Sequence, residues 1–237
     1  MTLRGLKPFP VDAEILSRIR SMESADVAEV ARLHGAAMGN SLWALLGLRF
    51  LRALYRSLVQ HPDFRGFVYE ESGRVRGFIA GSLDGRRMFR EIFQRRAPAL
   101  AIAALPGMIR RPSLVRPLLQ TTNYFSRSST RVGEDVVAES LFCSFEPDLR
   151  GRKVSGHINK VLFDEIAAMG HRALKITTEI DNVGAVRQLT SWGFERLGEF
   201  DFYGKRMLIW RLDLVNHERV EPVRRHRAHV RRPGHDE

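Results

Sequence analysis

The chain has 237 residues and a mass of 27.1 kDa, with 44% hydrophobic and 27% charged residues. That balance excludes collagen-like, disulfide-scaffold and wholly disordered architectures, and the single cysteine, Cys143, excludes an intrachain disulfide or a multi-cysteine metal site. The net charge of +11 comes from 38 basic residues, 33 of them Arg, a surface that attracts nucleotides, acidic lipids and nucleic acid without choosing among them.

Residues 1–14 read as a loose lead-in with Pro8 and Pro10. No apolar signal core is visible in MTLRGLKPFP, so a reducing cytoplasm is the expected compartment. Ile15 to Met22 alternates apolar and polar residues and predicts a short strand. Ser24 to Gly39 predicts an amphipathic helix, with Ser24 or Asp26 as its N-cap and Val27, Val30, Ala31 and Leu33 on one face. Ser41 to Gln60 predicts a second helix whose arginines, Arg49, Arg52 and Arg56, exclude a bilayer span. Phe67–Glu70 and Val75–Leu83 flank Ser72-Gly73 and predict a hairpin.

Residues 84–133 break the rhythm. Ala97–Ile109 is a 13-residue apolar stretch holding Pro98 and Pro106 and bracketed by Arg95, Arg96, Arg110 and Arg111. It is too short to span a bilayer. An inserted helical cap is the plainer reading, and an interfacial helix pair on anionic lipid, through residues 86–116, the sharper one. Strand pattern resumes at Val136–Phe145, stopped by Pro147. Arg150 to Ala168 predicts a helix, Ala173–Thr178 a strand, and Asn182 to Trp192 a helix closed by Gly193. Phe194–Phe200 and Arg206–Leu214 predict two more strands around Tyr203-Gly204. The tail, 216–237, has no periodicity, six Arg and four of the eight His, and reads as disordered.

The chemistry-bearing unit is the turn Pro147-Asp148-Leu149-Arg150-Gly151-Arg152-Lys153-Val154-Ser155-Gly156 between a strand and a helix. A small-residue turn opening a helix aims free backbone N–H groups outward, and the helix dipole and three cations add positive charge. Such a turn suits a pyrophosphate. Downstream come Asn182-x-x-Ala185 and Trp192-Gly193-Phe194. Together these motifs resemble the GCN5-related N-acetyltransferase (GNAT) superfamily, over residues 15–214 apart from the insertion.

The resemblance implies a mixed α/β sheet with the helical insertion between its third and fourth strands, in a domain spanning 15–215. It implies acetyl-CoA as cosubstrate, held in a V between the fourth and fifth strands that a bulge opens. Arg150 begins the signature, with Gly151 and Arg152 at its free positions. Its first glycine falls on Lys153, a departure, and its second small position on Ser155, with Val154 between them. Gly156 and His157 continue the helix start. Phe145 falls where the backbone addresses the pantetheine or thioester, Cys143 joins it on the same strand, and Asn182 falls near the pantetheine arm.

An acceptor amine with a pKa of ~10.4 costs roughly 4–5 kcal/mol to deprotonate at pH 7, which a positioned carboxylate relieves. Glu139 is the candidate, because Glu139 to Phe145 resembles the strand that carries the glutamate base in histone-type members. Asp135, Glu179 and Asp181 are rivals. Many members place a tyrosine general acid seven residues after the asparagine, where this chain has Leu189; Tyr203 is the substitute named here, with Tyr124 a second. Cys143 has no His–carboxylate partnership and reads as a small hydrophobe rather than a nucleophile. His226 and His229 have metal-ligand spacing, but in an Arg-rich tail no metal is expected.

These features predict transfer of acetyl from acetyl-CoA to an amine on a small molecule or sugar nucleotide. A non-catalytic acyl-CoA-binding module and a basic membrane-peripheral or nucleic-acid-binding protein stand as alternatives, although no recognition-helix motif supports nucleic acid. Sequence leaves the oligomeric state open, a dimer included.

Overall fold

A computed structural model describes residues 8–39, 41–114, 136–202 and 204–221. Its centre is a seven-stranded sheet in the order β1-β2-β3-β4-β5-β7-β6. The strands are β1 Ile19–Ser21, β2 Phe64–Glu71, β3 Arg74–Ser82, β4 Glu139–Phe145, β5 Ala173–Glu179, β6 Glu195–Phe202 and β7 Lys205–Asp213. Every neighbouring pair is antiparallel except β4 and β5. The helices are α1 Ala13–Ser17, α2 Val27–Ala37, α3 Leu42–Leu45, α4 Leu48–Val59, α5 Gly85–Arg110, α6 Val154–Ala168 and α7 Val183–Trp192. α2 to α5 bury one apolar face of the sheet, through Leu33, Leu54, Phe78 and Phe89. α6 and α7 bury the other, through Ile79, Ile158, Leu162 and Trp192.

Several elements differ from the sequence reading, each for a local reason. Ile15–Met22 is not one strand. The Asp12 side chain accepts from the Glu14 and Ile15 amides and starts α1, so only Ile19–Ser21 is left to pair with β2. Ser24–Asp26 is a 3-10 turn, with the Asp26 carboxylate accepting from the Glu23 amide, before α2 begins. The helix expected over Ser41–Gln60 is broken at Gly47, whose φ of 96° no helix tolerates. The hairpin turn at Ser72 and Gly73 has φ of 54° and 72°, the pair of left-handed residues a two-residue hairpin favours.

The apolar stretch inside the insertion belongs to a single 26-residue helix, α5, that runs through both Pro98 and Pro106. Residues 115–133 of the expected insertion lie outside the described residues. α5 crosses the α3–α4 turn at Gly107, where an added Cβ would lie 2.4 Å from the Leu46 carbonyl oxygen. Gly107→Ala must push the helix off its seat, and we expect a loss of about 1–3 kcal/mol. Thermal unfolding reads this directly; an unchanged midpoint would mean that α5 slides freely.

Residues 216–221, the start of the tail, make specific contacts with the domain. His217 Nε2 donates to the Trp192 carbonyl (2.9 Å), since His217 Nδ1 accepts from the Arg219 amide. The Lys160 ammonium, fully buried, donates to the Arg219 carbonyl at 2.9 Å and pairs with Asp164 at 3.0 Å. Val220 is buried. Irregular backbone satisfied one group at a time leaves no periodic trace in sequence. Residues 222–237, with His226 and His229, lie outside the described residues.

Candidate active site

β4 and β5 pair at only two positions, Glu139 with Lys175 and Ser140 with Ile176. Beyond them the strands part, and residues of both line a cleft of about 1030 Å³. The cause is visible in the register. Ala80 faces Phe142 while Gly81 faces Ser140, so Leu141 is an extra residue in β4, a bulge that bends its strand away from an even ladder. The bulge puts Leu141 and Phe142 both against the α2–α5 face, and Cys143 and Phe145 against the α6–α7 face.

Hydrogen-bond phase identifies which backbone groups look into the opening. The Glu146 amide donates to the Arg76 carbonyl at 2.9 Å. Antiparallel pairs alternate, so Ser144 and Phe142 also bond toward β3. The polar backbone of Cys143 and Phe145 therefore points toward β5, into the cleft. The Phe145 ring turns back over Gly77, where a Cβ would meet it at 2.3 Å, so Phe145 contributes its main chain to the cleft.

The turn after β4 ends in two left-handed residues, Gly151 (φ 82°) and Lys153 (φ 62°). Lys153 is the N-cap residue of α6; at the position where the resemblance expects glycine, the backbone adopts a glycine-like conformation with a lysine in it. The first amide to accept an intrahelical role is that of His157, bonded to the Lys153 carbonyl. The amides of Val154, Ser155 and Gly156 precede it and form the donor set of the helix start. Arg150 and Lys153 are exposed and have no ion-pair partner among the described residues.

Two expected ligands are otherwise engaged. Arg152 is bound to Glu71 at 2.5 Å in a belt with Arg18 and Arg76. Arg152 first, then Arg76, holds the Glu71 carboxyl down at about 2. The His157 side chain is fully buried: Nε2 accepts from the Asp12 amide at 2.9 Å, so Nδ1 carries the proton to the Lys153 carbonyl at 2.8 Å. Its ring braces the lead-in, with Phe9 5.0 Å away. Both side chains hold the turn to distant segments of the chain.

Glu139 lines the cleft at its closed end and is 3% exposed. Its Oε2 lies 3.8 Å from the Lys175 ammonium, also buried. Burial pushes the Glu139 carboxyl above its ordinary range, and Lys175 opposes the shift only in part. Of the rivals, Glu179 is paired to Lys205 at 2.5 Å, Asp181 is exposed at the cleft rim, and Asp135 lies outside the described residues. Lys175 had no signal in the sequence; it becomes a partner only through the parallel pairing of Glu139.

Asn182 caps α7, its Oδ1 accepting from the Ala185 amide at 3.1 Å, and it lines the cleft. Leu189, buried, lines the cleft from the same helix and offers no proton. Tyr203 and Tyr124 lie outside the described residues. Burial pushes the Cys143 thiol up to about 12, which removes it as a nucleophile. The remaining wall is mixed: Met38, Leu42 and Leu45 on one side and Phe89 and Leu114 on the insertion are apolar, while Ser41, Ser113, Thr177 and Gln188 are polar, and the motifs marked none of them. Among the described residues no cluster of ligating side chains could hold a metal ion.

The one parallel pair of the sheet, β4 with β5, opens beside the N-terminus of α6. No family model matches the chain, and no curated protein matches it. Solved structures do. SsHAT is similar with a TM-score of 0.61 at 13% identity, over 82% of this chain and 96% of that one. The ribosomal-protein-S18-alanine N-acetyltransferase of Escherichia coli is similar with a TM-score of 0.52 at 14% identity, over 82% and 92%. The ribosomal-protein-alanine N-acetyltransferase of Brucella melitensis gives 0.53 at 17%, over 83% and 99%. The chain has the GNAT acetyltransferase fold.

Proposed function

We propose that this chain is an N-acetyltransferase, moving an acetyl group from acetyl-CoA to a primary amine by direct attack in a ternary complex. The observation that carries the reading is the parting of β4 from β5 after Ser140 and Ile176, next to the open amides of Val154, Ser155 and Gly156. The cosubstrate's diphosphate would meet those amides, with Arg150 and Lys153 as cations beside it. Its pantetheine arm would run along the main chain of Phe145 and Cys143, with the free amide nitrogen of Asn182 facing it. Backbone donors near Phe145 would polarise the thioester carbonyl.

The amine would lose a proton to Glu139 and its lone pair would attack the thioester carbon. The tetrahedral adduct, whose nitrogen still carries one proton in excess, would release it to water and collapse with breakage of the C–S bond, leaving the neutral amide and a CoA thiolate. With Leu189 where a tyrosine donor is usual, the thiolate would leave as an anion and take its proton from water. The apolar wall of Met38, Leu42, Leu45 and Leu114 favours an amine on an apolar body over a sugar nucleotide.

Calorimetry with acetyl-CoA tests the cosubstrate, and we expect a Kd on the order of micromolar. No heat at millimolar ligand would overturn the assignment. Thiol release across an amine panel, with mass spectrometry of the product, tests the transfer. Leu189 is the specific observation behind a second reading, a CoA-binding module without turnover; binding with no amine consumed would favour it.

A further inference from the structure

We propose that the outer face of α5 is a docking surface for an anionic lipid bilayer, on which the helix lies flat. The proposal stands independently of the acetyltransferase reading. One side of α5 is packed: Leu100, Ala104 and Gly107 are buried. The opposite side is bare. Ile102, Leu105 and Ile109 are 68%, 48% and 76% exposed, and their spacing of three and seven residues sets them on one helical face. Pro98 and Arg95 continue that face toward the N-terminus, so it runs for about 24 Å from 95 to 111. Other large exposed apolar residues, such as Val11 and Val183, are scattered singly, which is ordinary for a protein surface.

Charge selects the occupant. No acidic residue occurs from Ile92 to Gly133, a stretch with seven Arg. The Arg95 side chain is 76% exposed and pairs with Glu91 at 3.5 Å, its one ion-pair partner among the described residues. Arg110 and Arg111 border the stripe at its other end, exposed and without an ion-pair partner among the described residues. A second copy paired along this stripe would bring arginine onto arginine. Nucleic acid would engage the arginines and leave three aliphatic side chains in water. An anionic bilayer uses both: the aliphatic groups enter below the headgroups while the guanidinium groups stay at the phosphates. Among the described residues no helix is long and apolar enough to cross a membrane, so the mode is surface-lying. The turn that follows α5, Pro112–Leu114, brings Ser113 and Leu114 to the cleft wall, and docking would hold the cleft mouth close to the lipid interface.

The test is flotation of the full chain with vesicles of phosphatidylcholine mixed with phosphatidylglycerol, against phosphatidylcholine alone. The chain should float with the anionic vesicles and far less with the neutral ones. The triple variant I102S/L105S/I109S should bind at least about tenfold more weakly, with an unchanged unfolding midpoint because these positions are exposed. Should the triple variant unfold, Ile109→Asp alone carries the same test at the most exposed position. Failure of the wild-type chain to float, or flotation that survives the stripe substitutions, would overturn the proposal. So would a wild-type dimer by light scattering that the triple variant dissolves without any vesicle binding, which would assign the face to a second copy.

Discussion

Replacing Glu139 with Gln should lower turnover by about 10²- to 10⁴-fold while leaving acetyl-CoA affinity within about twofold. The carboxylate sits at the closed end of the cleft, 3% exposed, and burial raises its proton affinity. A base held above the usual carboxylate range loses less free energy when it takes a proton from an ammonium ion. Glutamine keeps the shape and removes the basic carboxylate. It also leaves the Lys175 ammonium buried without its acid, so the variant's unfolding midpoint should fall as well, and the affinity measurement confirms that the cleft survives.

The pH profile separates catalysis from this structural effect. In the wild-type chain the reactive form pairs ionised Glu139 with a protonated amine. Activity should therefore rise through the raised carboxyl value and then stay level until the amine itself titrates. In the glutamine variant only the free amine reacts, so the rate should climb tenfold per pH unit over that interval. The defect is then largest at low pH and shrinks toward the amine pKa. A parallel profile in the two proteins would take Glu139 out of the proton transfer. Stability carries the opposite sign: the folded state binds the Glu139 proton more tightly than the unfolded chain, so its contribution to stability falls as pH rises through that window.

How much of this was legible follows from what each feature depends on. The helical stripe of α6 and the cap at Gly193 are local patterns, and they stand as read, with α6 opening at Val154 rather than Arg150. The turn from Arg150 to Gly156 was legible as a helix start rich in small residues and cations, which is a local pattern. Its division of labour was not. That Arg152 is taken by Glu71, eighty-one residues away, and His157 by Asp12, needs the pairing of distant segments. The same holds for Lys175 beside Glu139, a contact made by parallel strand register. The break at Gly47 and the passage of α5 through two prolines show tertiary packing overriding a propensity in either direction. The contacts of the tail's first residues left no sequence signal because backbone groups, which every sequence carries equally, make several of them.

Ser155→Asp should weaken CoA binding on the order of 100-fold and at the same time stabilise the fold, two effects of opposite sign from one charge. Ser155 is the second residue of α6, half-buried, with its carbonyl accepting from the Asn159 side-chain Nδ2 at 2.7 Å. A carboxylate in the first turn of a helix interacts favourably with the open amides and the dipole, worth about 0.3–1 kcal/mol, so the unfolding midpoint should hold or rise. The same carboxylate would stand where the diphosphate must approach. At a separation of about 5 Å and an effective dielectric near 20, each like-charge pair costs about 3 kcal/mol before screening. Lys153 and Arg150 offset part of that, and added salt should narrow the gap between variant and wild type. Pantetheine, which has the thiol arm and no diphosphate, should bind both proteins alike. Equal CoA affinity in the two proteins would place the diphosphate away from this turn; a loss of pantetheine binding would mean that the substitution had disturbed the strand opening itself.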